Sequence, residues 1–600
     1  MSTSPRNSQS LSPILRRLDW SAWRIALAGG SALFLLSALE SVGSRSNWNL
    51  ALVSWLAALG AVLIAALPRG ANLSPAAAFS RARRWFTDAR AETLAVAVLT
   101  AAGAALRLYA PADYPSGIHG DEAEFGLIAL SIWQGQGPNP FGTAFLGDPA
   151  LFLYFDAPLL GLLGQNVEAL RVFGAICGTL TLPLFYLLVR QMFGMGPALL
   201  ALTMLAGSAV HIHFSRLALN LPQTLLLACT SLYALRRGQE TNRPFWWLAT
   251  GILGALAMYF HFVGRLLPTV VALYCLYLLV TQPHKWRRWL GGATLMGVGG
   301  LMTLAPMAAV LAGRSYQFTE HMDQRLIFTA WPHVTAAYGT TNAVEILRLQ
   351  VTCNLLAFVS LGDKSDFYTF AGTPMLPALL VPFFVLGISK VMSSPRNDRL
   401  ALLSIWFWTA LVVGMLTTDP PSFHRLLFAL PPALIMVALV VHRLIQASSN
   451  LGGRGLSRPL AIVLACVVLA AGFTDVSHYF GPAADARPWE VVTAQGRYVA
   501  GLGPDYYAYV IGAPHMYFNH GVTRFLAPEV KGETLIHPET DLPVVVPTDH
   551  DLAFLVYPHL AGYLPTLQNL YPQGRAEVVK GHTGQTLFVA YLVPHNQAAP

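Results

Sequence analysis

Residues 93–124 read TLAVAVLTAAGAALRLYAPADYPSGIHGDEAE, and this stretch decides the fold. It opens with an apolar run, Thr93 to Ala110, broken only by Arg107. It then crosses a Pro-containing break and ends in His119-Gly120-Asp121-Glu122-Ala123-Glu124. Roughly 20 apolar residues span a bilayer, so the run is a membrane span and the acids sit at its mouth. Neighbouring carboxylates repel each other. Three of them beside a histidine need a compensating charge, a ligand, or a helix N-terminus whose free N–H groups favour acids. The residues alone leave those readings open.

The chain around this stretch is also built for lipid. Of its 600 residues 54% are hydrophobic and only 11% are charged, against about 25% charged in a soluble domain. Thirteen stretches read as candidate spans: 23–39, 49–67, 93–110, 170–190, 196–212, 217–235, 244–262, 264–282, 289–312, 372–390, 400–417, 424–442 and 459–475. With the N-terminus in the cytoplasm, every inner loop is basic. These loops carry Arg16 and Arg17; Arg69, Arg81, Arg83, Arg84 and Arg90; Arg190; Arg236, Arg237 and Arg243; Lys285, Arg287 and Arg288; Lys390, Arg396 and Arg399; and Arg443, Arg454 and Arg458. The outer segment 111–169 contains no Lys or Arg at all. That asymmetry is the positive-inside pattern, and it makes the net charge of +8 a matter of topology rather than of nucleic-acid binding. The five cysteines are scattered without zinc-site spacing. No phosphate-binding P-loop, GxGxxG after a strand or GxSxG elbow occurs.

The expected fold class is therefore an all-α polytopic membrane protein with a small C-terminal extracytoplasmic α/β domain. Three regions follow. Residues 1–92 hold a polar tail, two extra spans and a basic cytoplasmic loop. Residues 93–475 form the transmembrane core, with long outer loops at 111–169 and 313–371. Loops of that length are uncommon unless functional. In the first, 121–134 reads as a surface helix and 149–163 as an interfacial segment too short to span. Residues 476–600 have soluble composition, with a helix at 489–502 and strands at 507–512, 543–547, 552–557, 575–579 and 586–593.

An ordered series of features then stands out. Asp121-Glu122 opens the first outer loop directly after a span, and Gly135 and Gly137 follow the surface helix. Gly147-Asp148-Pro149 precedes Phe152 and Tyr154. Gly164 precedes Arg171 at the head of the next span, which ends at Arg190 through Gly194. Phe214-Ser215-Arg216 comes later. Over roughly residues 93–475 this series resembles the membrane glycosyltransferases of the GT-C fold, closest to family 39, the protein-mannosyltransferase and aminoarabinose-transferase group. The first two spans and the C-terminal domain lie outside the resemblance.

The resemblance implies an inverting transfer of a sugar from a polyprenyl-phosphate donor to a protein, lipid or glycan acceptor at the outer membrane face, in a bacterial inner membrane. It implies Asp121 as general base. Glu122 is either its helper or an N-terminal structural acid. Asp148 orients the acceptor or ligates a divalent ion (Mg, Mn or Zn). His119 and His261 are the possible nitrogen ligands beside Asp121 and Asp148. A lipid phosphate needs cations, and Arg216, Arg265 and Arg425 sit at outer span ends where arginine is sparse. Snorkelling to headgroups is the alternative for each. Arg107 and Arg171 flank the acidic loop and are expected to pair with its carboxylates. The second loop adds Arg314, Arg325, Arg348 and Lys364, unranked. Loops 111–169 and 313–371 are expected to enclose a cavity faced by Asp121. Two other readings are a lipid or solute transporter and a non-catalytic cell-envelope assembly protein. A transporter would place ionisable residues near the bilayer midplane; here they gather at the outer ends.

Overall fold

A computed structural model of the chain describes residues 22–44, 48–68, 76, 80, 89–313, 315–365, 367–368, 372–481, 489–544 and 550–595. Of the residues named above, Arg16, Arg17, Arg69, Arg81, Arg83, Arg84 and Arg314 lie outside this set.

All thirteen apolar stretches fall mainly on helices, but among the described residues fewer are spans in their own right. Eight helices are long and apolar enough to cross a membrane, or nine if Met195–Gly207 and Ala209–Arg216, bent by 56° at Ser208, form one broken span. The rest differ for visible reasons. Leu221–Thr241 is long enough but carries Gln223, Arg236, Arg237 and Gln239. Pro244–Tyr259 and Ala378–Met392 are short. The last two expected spans merge into Leu430–Phe480, a run of 51 residues broken at Gly452 and Gly453. Gly453 has φ 58° and ψ −150°, a conformation essentially reserved for glycine.

The surface helix forms as Gly120–Trp133, and the interfacial segment as Leu153–Leu163. The latter has 11 residues, about 16 Å of rise, half of what a bilayer core requires. After the break beyond Phe480, Glu490–Leu502 is helical and five strands form one sheet in the order β2-β1-β3-β5-β4. These are β1 Tyr506–Ile511, β2 Lys531–Thr534, β3 Asp551–Val556, β4 Arg575–Lys580 and β5 Thr586–Val593. β1 runs parallel to β2 and β3, while β5 is antiparallel to both β3 and β4. The strand expected at 543–547 is not the fifth one. Residues 543–544 are not extended into the sheet, and 545–547 lie outside the described set. The polar edge strand Lys-Gly-Glu-Thr takes that place.

This domain sits on the acidic loop. The short helix Gly521–Leu526 packs on Gly120–Trp133, and one apolar cluster runs from Ile118, Ala123 and Leu170 into Val499, Val510, Val522 and Phe525. The fit is close. A Cβ on Gly126 would lie 2.6 Å from the Phe525 ring, and one on Gly521 would lie 2.5 Å from a Glu124 oxygen. Polar contacts tie the seam: Ile118 N–H donates to Thr493 Oγ1 at 2.9 Å, and Gln165 Nε2 donates to the Phe525 carbonyl at 2.7 Å. The C-terminal domain and the acidic motif therefore share one face of the bundle.

Candidate active site

The acidic motif starts a helix, and the cap decides which acid is free. The His119 Nδ1 accepts the Asp121 backbone N–H at 3.1 Å, and the Glu122 carboxylate accepts the His119 N–H at 3.1 Å, a capping box. An Nδ1 that accepts has no proton to give. The Asp121 carboxylate 3.4 Å away is thus a neighbour of that nitrogen and keeps its own acceptor capacity.

Glu122 has none to spare. It is fully buried and takes a two-pronged pair from Arg171, Nε to Oε1 at 2.9 Å and Nη2 to Oε2 at 3.0 Å. Oε1 also accepts the Ala218 N–H at 2.9 Å. Burial works against its charge, but the Arg171 pair and the two backbone donors outweigh that and hold its carboxyl below the usual range. Of the roles expected for Glu122, catalytic helper is corrected to structural anchor. Its two oxygens accept four hydrogen bonds and are shut off from solvent.

Arg216 is a second correction. Its guanidinium is buried and donates to four main-chain carbonyls: Tyr114 at 2.7 Å, Leu106 at 2.8 Å, Tyr109 at 2.5 Å and Ala110 at 2.9 Å. It holds the loop after the third span, with its donors committed to the backbone. Arg171 does the same from the other side, donating to Pro111, Pro115 and Gly117. Arg107, expected to pair with the acidic loop, instead bonds the carbonyls of Gly103, Leu205 and Ala206 and meets His211 Nδ1 at 2.5 Å.

Asp121 is half-buried at the junction of the two outer loops, with 29% of its side chain exposed. Its carboxyl is raised above the ordinary range by burial and by Glu122, against the pull of His119 and of Arg325 from the second loop. Asp148 is pushed up to about 7 by burial and by the Asp121 charge, against an Asn220 hydrogen bond of 3.4 Å and the nearby Arg265. Arg265 also stacks over Phe262 and reaches Met322 Sδ at 2.8 Å on the second loop. Arg425 donates to the Thr418 carbonyl at 2.6 Å. The second loop's Tyr368 feels both Asp121 and Asp148, and burial raises its phenol beyond its usual range. Asp148 is thus within electrostatic reach of Arg265 and Asp121 of Arg325, while Arg425 neighbours Arg325, Asp363, Asp419 and Tyr368.

The expected metal set does not assemble. Among the described residues no three His, Cys, Asp or Glu side chains converge as ligands. The His261 Nδ1 caps a turn by accepting the Val263 N–H at 3.1 Å, and the His119 Nδ1 is committed as described. Asp121 and Asp148 remain as a pair of carboxylates, too few for a protein-built cation site.

Several residues here carried no usable signal in the sequence. Arg325 was one unranked cation among four. Phe367 stacks on the His119 ring with centroids 4.4 Å apart, and Trp489, at the entry to the C-terminal domain, meets it edge-on at 4.6 Å. Only the fold brings these aromatics to the motif.

Comparison with known proteins agrees with this architecture. The family model for dolichyl-phosphate-mannose-protein mannosyltransferase matches residues 148–281. Undecaprenyl phosphate-alpha-4-amino-4-deoxy-L-arabinose arabinosyl transferase of Pseudomonas paraeruginosa (strain DSM 24068 / PA7) is 25% identical over 362 residues, 58% of this chain. The match spans 60% of the length of that curated relative. The crystal structure of ArnT from Cupriavidus metallidurans bound to undecaprenyl phosphate is similar with a TM-score of 0.52 at 15% identity, covering 84% of this chain and 99% of that one. The apo Archaeoglobus fulgidus oligosaccharyltransferase gives 0.50 at 12%, covering 83% and 74%. At such identities the likeness is one of fold.

Proposed function

From the premise that the chain has the GT-C fold of membrane glycosyltransferases, we propose that it transfers a sugar, hexose or pentose, from a polyprenyl-phosphate donor to an acceptor at the outer membrane face, with inversion. The observation that carries this reading is the nearness of Asp121 to Arg325 and of Asp148 to Arg265, beside the place where the two outer loops meet.

The chemistry balances on these groups. An acceptor hydroxyl gives its proton to the Asp121 carboxylate while its oxygen bonds to the anomeric carbon. The carbon–oxygen bond to phosphate breaks on the opposite side, and its electron pair leaves with the polyprenyl phosphate. A carboxylate raised above its ordinary pKa is a stronger base, which suits Asp121 to the proton transfer. Asp148, with a pKa near neutrality, holds a proton part of the time and orients the acceptor. The three arginines meet charge on the leaving phosphate in a partly dry site, where such stabilisation is strongest. The relatives' named carriers, undecaprenyl and dolichyl phosphate, support a lipid-linked donor. We place the chain in a bacterial inner membrane, N-terminus cytoplasmic, C-terminal domain outside.

The test is transfer from a panel of polyprenyl-phosphate sugars by the full chain in detergent and by Asp121→Asn. Turnover with at least one donor, lost in Asp121→Asn while the donor still binds, is the expected result. Full activity in that variant would overturn the assignment of the base. Donor movement across vesicles unaffected by the substitution would favour a transporter.

A further inference from the structure

A second site lies a membrane thickness away from the first. The helix Val167–Phe193 begins beside the acidic loop, with Arg171 on Glu122, and ends at a cavity lined by Met192 and Phe193. The 21 residues between Arg171 and Met192 give about 32 Å at 1.5 Å per residue. The cavity encloses about 630 Å³, inside the usual range for small-molecule sites of roughly 300–1,000 Å³.

Its lining has two chemistries. Phe193, Leu439 and Leu444 make apolar walls, and Leu444 is exposed at the rim. Lys390, Arg399 and Arg443 bring three cations, and no carboxylate lines the space. Asp398, beside Arg399 in the chain and within its electrostatic reach, is already engaged by Arg236 at 2.8 Å and Gln239 at 3.0 Å. Arg399 gives one N–H to the Met192 carbonyl at 2.7 Å, and Lys390 reaches Ser394 Oγ at 3.2 Å, so both keep donors in reserve. Arg443 has no hydrogen-bond or ion-pair partner among the described residues. All three are exposed to water, and together they ring one concave, acid-free space with apolar walls.

We propose that this cavity binds the phosphate headgroup of an anionic phospholipid in the leaflet opposite the candidate active site, its acyl chains lying along Leu439 and Leu444. By the positive-inside pattern that leaflet is the cytoplasmic one. Basic pockets between helices on that side suit anionic headgroups, and each Lys or Arg near the surface contributes a comparable share of the attraction.

The test is native mass spectrometry of the full chain in detergent, titrated with phosphatidylglycerol or with phosphatidylcholine of the same acyl chains. The wild type should retain phosphatidylglycerol preferentially. Lys390→Gln with Arg443→Gln should weaken retention about thirtyfold, about fivefold for each cation. Leu439→Trp, which fills the space and keeps the charges, should also displace the lipid. Arg454→Gln with Arg458→Gln, on the same side but outside the cavity, should leave retention unchanged. Equal retention of both lipids, an equal loss in the Arg454/Arg458 variant, or full retention in the Lys390/Arg443 variant would each overturn the proposal. Displacement by millimolar inorganic phosphate would also do so, because it would mark a free-phosphate site instead.

Discussion

Glu122→Gln is the perturbation that separates the two roles an acid in this motif can play. The wild-type carboxylate accepts four hydrogen bonds: Arg171 Nε at 2.9 Å, Arg171 Nη2 at 3.0 Å, Ala218 N–H at 2.9 Å and His119 N–H at 3.1 Å. A glutamine keeps one acceptor oxygen. If that oxygen stays with Arg171 Nε and Ala218, the new NH₂ group faces Arg171 Nη2 and the His119 N–H, donor against donor. Two bonds are lost, and Arg171, itself fully buried, keeps a charge with no counter-charge. Breaking one side of such a buried pair costs about 3–5 kcal/mol. The expected result is a large fall in the thermal and denaturant stability of the purified protein in detergent. Activity should fall in proportion to the fraction folded, plus whatever displacement of the adjacent Asp121 adds. A double-mutant cycle with Arg171→Met should give a coupling energy of about 1–3 kcal/mol. A Glu122→Gln protein as stable as wild type but devoid of turnover would refute the structural assignment and return Glu122 to the catalytic machinery.

Asp121→Asn should do the reverse, abolishing turnover with a stability change within about 0.5–1 kcal/mol, since this half-exposed side chain anchors nothing. Arg265→Ala and Arg325→Ala should each weaken polyprenyl-phosphate binding by about 1.5–3 kcal/mol, measured by donor titration; Arg216→Ala should lower stability and leave the intrinsic donor affinity of the folded protein unchanged. Turnover should rise with pH as Asp121 loses its proton, along an acid limb above the ordinary carboxylate range, read from the pH–rate profile. Asp148 holds its proton more tightly folded than unfolded, so stability should fall as pH rises from about 4 and level off above about 7, a slope that Asp148→Asn should remove in denaturation curves. Gly126→Ala places a methyl 2.6 Å from the Phe525 ring and should loosen the C-terminal domain by about 1–3 kcal/mol, read as faster proteolysis at the seam.

What could be read in advance was what depends on local pattern. Apolar length gave the helices, and Asp121 stood out because a carboxylate at the head of a surface helix is visible in five residues. Strands β1, β3 and β5 are apolar runs. β2 was missed because Lys531–Thr534 is a polar edge strand whose pairing with β1 is set by the sheet, not by its own composition. The partners of His119 were out of reach for a related reason. Phe367 and Trp489 lie hundreds of residues away, in a loop and in another domain, and nothing local marks which aromatic folds back. Leu221–Thr241 carries Gln223, Arg236, Arg237 and Gln239 because much of it is buried by protein, which tolerates its polar residues.

The arginines carry the more general point. Exposure to lipid phosphate and service to the backbone look alike in sequence: a cation at the outer end of a span. They differ in what the neighbouring chain leaves unpaired. The helix Arg90–Leu108 ends with carbonyls that have no helical donor, and the segment after it contains Pro111 and Pro115, which contribute no N–H of their own. Buried carbonyls must find donors, and a guanidinium offers five in a fixed fork. Arg216 meets Leu106, Tyr109, Ala110 and Tyr114, and Arg171 meets Pro111, Pro115 and Gly117, so between them they absorb the debt left by this one loop. Arg265 stands at the head of its helix, where the free groups are N–H donors rather than carbonyls. Its guanidinium reaches Met322 Sδ on the second loop and lies within electrostatic reach of Asp148. A cation beyond a helix C-terminus and a proline-bearing loop should therefore be read first as a backbone clamp, and one at a helix N-terminus as the better candidate for a lipid phosphate.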